Sequence, residues 1–68
     1  MKNNIKKIIE AKGLKIGYVI DKVGISRSAF YSIMNGESIP KLPTVRKICS
    51  VLQEDSIEDV FPNDKIIE

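Results

Sequence analysis

The sequence contains no histidine and only one cysteine, Cys49. A lone cysteine excludes an internal disulfide, and without imidazole it cannot complete the Cys and His ligand set of a structural zinc site. Glycine-rich phosphate loops and clusters of metal-ligand residues are also missing, which leaves no constellation for catalysis. Cys49 falls at a helical core spacing, as expected for a buried, inert thiol. The acidic pairs Glu54-Asp55 and Glu58-Asp59 read as solvated helix-end charges. No run of about 18 apolar residues could span a membrane, and the opening MKNNIKKIIEAKG lacks the apolar stretch of a signal peptide. The expectation is a cytoplasmic, non-enzymatic protein with no metal, cofactor, membrane or small-molecule substrate.

At 68 residues the chain fits one domain with a thin core, so a partner chain or a ligand would add to its stability. The net charge of +2 conceals a segregation. Residues 1–47 carry ten Lys or Arg against three acids, whereas residues 48–68 carry Lys65 against six. The resulting +7 and −5 make the first two-thirds a candidate polyanion-binding surface.

Glycine and proline divide the chain into short segments whose apolar spacing is helical, predicting five helices and an all-α domain over residues 1–61. Asn3 or Asn4 caps the first helix, which places Ile5, Ile8 and Ile9 on one face and stops at Gly13. The second, over residues 16–22, turns Val19, Ile20 and Val23 inward and ends at Gly24. Ser26 caps the third, over about residues 27–34, with Phe30 and Ile33 inward and Asn35-Gly36 as its end. Pro43 sits in the first turn of the fourth, which buries Val45, Ile48, Cys49 and Leu52. Ser56 opens a short fifth helix leading to Val60 and Phe61, and residues 62–68 form a tail that is either flexible or at a dimer interface.

The second and third helices, joined by a tight turn at Gly24 and anchored by Ile25, have the spacing of a helix-turn-helix. Opposite Phe30 and Ile33, the third helix presents Arg27, Ser28, Tyr31 and Ser32 with no carboxylate, a face that can enter a major groove. Arg27 can make a forked contact with guanine, the two serines can adapt as donors or acceptors, and Tyr31 can meet a thymine methyl or a phosphate.

The stretch GISRSAFYSIMNGESIPKLPTVRKICSVL resembles the repressor/Cro-type (XRE) helix-turn-helix regulators of phages and bacteria, and the resemblance covers residues 3–61. It implies a compact five-helix repressor-like domain that binds double-stranded DNA without a cofactor. Arg27, Ser28 and Ser32 match the family's base-reading positions, with Tyr31 beside them. Lys15, Asn35, Lys41 and Thr44 match its phosphate contacts, which position the protein without reading sequence. A repressor bound as a homodimer to a palindromic operator follows from the family, with Val60, Phe61, Ile66 and Ile67 as apolar candidates for the dimer contact.

Some positions depart from the family. Ile16 replaces its usual glutamine, removing one phosphate contact, and Ile20 replaces a small alanine where the two helices approach, for which small Ala29 would compensate. Glu37 lies in a loop that should face phosphates, and Ile16, Met34 and Ile39 would add apolar surface near the DNA side. These departures leave a second reading open: a protein-binding module of the same fold, an antitoxin or adaptor. DNA binding and a regulatory protein partner are also compatible.

Overall fold

The computed structural model describes residues 3–62. Five α-helices follow one another: α1 (Ile5–Lys12), α2 (Ile16–Val23), α3 (Arg27–Met34), α4 (Leu42–Leu52) and α5 (Ile57–Val60). Helices this short do not persist alone in water, so their stability comes from the apolar faces they pack together. Those faces carry the predicted periodicity. Ile5 and Ile9 of α1, Val19, Ile20 and Val23 of α2, Phe30 and Ile33 of α3, and Val45, Ile48, Cys49 and Leu52 of α4 form one buried cluster. Ile8 is only half-buried at its edge.

Val60 and Phe61, candidates for a dimer contact or for the last corner of the monomer core, are both 0% exposed and close the core from the C-terminal side. Burying them inside the monomer enlarges a core that is thin in any domain of about this size. Ile66 and Ile67 lie outside the described residues.

Local chemistry sets the helix ends. The two asparagines at the start divide the work: Asn4 occupies the cap position of α1, while Asn3 Oδ1 accepts the Ile5 N–H at 3.1 Å. Asn3 Nδ2 donates to the Ile33 carbonyl at 2.8 Å, tying the start of the chain to the end of α3. The Asn4 backbone N–H donates to the Val60 carbonyl at 2.8 Å, and its side chain reaches the Asp59 carbonyl at 3.1 Å. The beginning of the domain is thus fastened to α5.

At the far end of α1, Lys12 serves α4. Its Nζ donates to the carbonyls of Leu52 at 2.6 Å and Gln53 at 3.3 Å, and pairs with the Glu54 carboxylate at 3.0 Å. A cation there satisfies carbonyls that a helix end leaves without partners and suits the negative end of its dipole. Gln53 adopts a left-handed conformation (φ 60°), the one non-glycine residue to do so among the described residues.

Candidate nucleic-acid interface

The helix-turn-helix is built as its sequence dictates. Gly24 has φ 84°, which L side chains rarely adopt, and no atom lies within 4 Å of where a Cβ would stand. Glycine is needed there for its backbone freedom rather than for space. Its N–H closes α2 on the Ile20 carbonyl, and Ile25 packs against the core. Ser26 then opens α3, its Oγ accepting the Ala29 N–H at 3.1 Å and its carbonyl accepting the Phe30 N–H at 3.0 Å. The first turn of α3 is therefore fixed, and Arg27 and Ser28 stand exposed on it. Ser32, one turn later, is half-buried, and its carbonyl accepts the N–H groups of Glu37 and Ser38 as the chain leaves the helix.

The positions matched to phosphate contacts share a second property. Lys15 and Lys41 are the cap residues of α2 and α4, both in extended backbone, and neither side chain accepts a hydrogen bond there. None of α1 to α4 carries an acidic residue in its first turn, whereas α5 carries Glu58 and Asp59. Ordinary helix design places acids at this end and cations at the other. Here Lys15, Arg27 and Lys41 reinforce three positive helix ends, and among the described residues the only ion pair is Lys12 with Glu54. Thr44 is half-buried in the first turn of α4, and Asn35 is exposed at the end of α3.

Other positions differ from their expected places. Tyr31 is half-buried and packed against the core, lining a cleft with Ile16, Met34, Asn35 and Lys6. It lies on the margin of the outer face of α3, in a cleft that residues of α1 and α2 also line. Ile16 and Met34 are likewise half-buried, so of the three expected surface apolar residues only Ile39, at 61%, is widely exposed. Ile20 is buried, but Ala29 is exposed and so does not relieve the approach of the two helices. Burial and, secondarily, the Glu54 carboxylate push the Cys49 thiol above its usual pKa, which keeps it protonated and unreactive near neutrality.

Lys6 and Lys7 were not singled out by the sequence, yet they line a cleft with Asn35 and Gly36 at the end of α3. Their adjacency marks a polar side of α1, but no local pattern says which element that side meets. Among the described residues no helix is long and apolar enough to cross a membrane.

A helix-turn-helix family model matches residues 5–58, from the first residue of α1 into α5. No curated protein and no solved structure matches the chain. The match spans most of the sequence and contains the turn at Gly24, the capped α3 and the basic ends of α2 and α4. The chain belongs to the XRE-type helix-turn-helix family of DNA-binding domains.

Proposed function

We propose that this domain is a sequence-specific transcriptional regulator, a repressor, that lays α3 in the major groove of double-stranded DNA. The observation that carries this reading is the set of three helix N-termini headed by Lys15, Arg27 and Lys41, none with a first-turn acid and none of the three cations ion-paired among the described residues. Backbone N–H groups and positive dipole ends at such termini favour phosphate oxygens. In this reading Lys15, Lys41, Thr44 and Asn35 hold the backbone, while Arg27, Ser28 and Ser32 read base edges and Tyr31 contacts the margin. The domain acts in the cytoplasm without a cofactor or catalytic step.

A single module of this size buries little DNA surface, so a homodimer on palindromic half-sites about 34 Å apart, or a multiple of that, supplies the affinity. Selection of sites from random duplexes at two salt concentrations tests the proposal. Enrichment of a palindrome supports it. Binding without enrichment that vanishes with salt would refute base readout. A second reading, the antitoxin or adaptor, draws on Ile39, whose 61% exposure two residues before Lys41 offers a protein partner an apolar contact. Loss of DNA affinity without loss of partner capture would favour it.

A further inference from the structure

The most extensive packing between helices joins α2 to α4 and α4 to α5, and α3 belongs to neither pair. Its apolar anchors, led by the buried Phe30 and Ile33, attract it to the core without fixing a direction. One polar contact does have a direction. Asn3 Nδ2 donates to the Ile33 carbonyl at 2.8 Å, in the last turn of α3, from a position 30 residues away.

That carbonyl already accepts the Gly36 N–H at 3.0 Å, so the bond from Asn3 is not what satisfies it. What Asn3 adds is placement, since a hydrogen bond weakens steeply once distance or angle departs from its optimum. The amide is gripped from both sides, because Asn3 Oδ1 accepts the Ile5 N–H at 3.1 Å. Its neighbour is anchored too. The Asn4 N–H donates to the Val60 carbonyl at 2.8 Å and its side chain to the Asp59 carbonyl at 3.1 Å, so Asn3 projects from a segment fastened to α5.

We infer that Asn3 is a positioning residue for base reading: its amide fixes the end of α3 against α1 and thereby sets where Tyr31 and Ser32 stand. Eight helical residues span about 12 Å, so a shift of about 1 Å at the end of α3 turns the helix by about 5°. Tyr31 and Ser32, within one turn of Ile33, move by a similar distance, whereas a binding constellation tolerates only about 0.5 Å. This role rests on the DNA-binding reading above and names what aims the helix.

Two variants test it. Asn3→Asp keeps an acceptor for the Ile5 N–H but sets an oxygen against the Ile33 carbonyl, and Asn3→Ser, without added charge, stops one bond short of it. Lys12→Met is the control for lost stability, because Lys12 bonds the end of α4 rather than α3. On a selected and a random duplex, both Asn3 variants should lose about 3- to 10-fold of the wild-type affinity ratio, part of what one base contact supplies. The control should keep the ratio. Without DNA, residual dipolar couplings should show α3 turned against α4 in both Asn3 variants. An unchanged ratio, or an equal loss in Lys12→Met, overturns the proposal. So do unchanged couplings in a protein whose wild type discriminates between duplexes. A wild type that discriminates nothing overturns the DNA-binding reading itself, so the two failures are told apart.

Discussion

Lys41→Asp should stabilise this domain and cripple its DNA binding. Lys41 already holds the extended backbone of a cap residue (φ −78°, ψ 160°), so aspartate enters without rearrangement. Pro43, second in the helix, has no N–H, which leaves the Thr44 amide as the donor that the introduced carboxylate would accept. Such a cap is worth about 1 kcal/mol, and replacing a cation by an anion at a helix N-terminus adds roughly 0.3–1 kcal/mol at low salt. The expected gain is therefore about 1–2 kcal/mol. At roughly 4–8 °C per kcal/mol for a domain of this size, Tm should rise by about 4–16 °C, read by circular dichroism at low ionic strength. DNA affinity should fall by at least about tenfold, and the salt dependence should lose the roughly 0.9 of slope that one phosphate contact contributes. A lower or unchanged Tm would refute the argument that the α4 terminus lacks an acceptor, and unchanged DNA affinity would remove Lys41 from the interface.

Arg27→Ala should cost roughly 1–3 kcal/mol on the selected site and relax preference at one base pair, while Lys41→Ala weakens all sequences alike; equal losses on selected and random duplexes would remove Arg27 from base reading. Lys12→Met should lower stability by about 1–2 kcal/mol in urea titration because it strips two carbonyls at the end of α4 of their charged donor. Glu54→Gln should cost less than about 1 kcal/mol, since the pair it breaks is partly in solvent; losses of equal size would show that the ion pair, not the carbonyls, carries the effect. Gln53→Gly should raise stability by about 0.5–1 kcal/mol by relieving the left-handed φ of 60°, and a lower midpoint in the same titration would refute that. Cys49 titrates above its usual range because burial, and then Glu54, oppose its thiolate. The folded state thus favours the thiol, and this contribution is full below the unfolded pKa of about 8.5 and lost as pH rises through the folded one. Wild type should lose more stability above about pH 9 than Cys49→Ala, and parallel pH profiles would refute the assignment.

What the sequence made legible is what local chemistry decides. Ser26 and Ser56 accept first-turn amides as their position before an apolar helical repeat implies, and Gly24 takes the φ that a sharp turn requires. The inward sets on α2, α3 and α4 followed from spacing alone. Contacts between distant segments were not legible. Lys12 and the Leu52 carbonyl are 40 residues apart, and Asn4 and the Asp59 carbonyl 55 apart, so no window of sequence pairs them. Val60 and Phe61 show why an apolar pair near a C-terminus is ambiguous. A dimer face and the last corner of a core need the same residue types, and only the packing of the other four helices decides between them. Tyr31 shows the limit of the helical wheel: its angle places it near Arg27 and Met34 on α3, while Ile16 of α2 and Ile9 of α1, which the wheel cannot show, line the same cleft.

The distribution of polar contacts separates folding from function. Side-chain bonds that hold the fold together lie at the ends of helices away from the proposed phosphate contacts of α2 and α4: Lys12 on the end of α4, Asn3 on the end of α3, Asn4 on α5. In α5 the ordinary rule is obeyed, with Ser56 as cap and Glu58 and Asp59 in the first turn. In α2 and α4 it is broken twice over, by a lysine where a cap belongs and by the absence of any first-turn acid. α1 also lacks a first-turn acid and a side-chain cap bond, so what sets α2 and α4 apart is the lysine at the cap itself, at positions that match the family's phosphate contacts. Departures from foldability rules concentrate where a ligand compensates for them. In the proposed DNA-bound state a phosphate oxygen supplies the acceptor that each terminus lacks, so the free protein would carry a cost that the complex relieves.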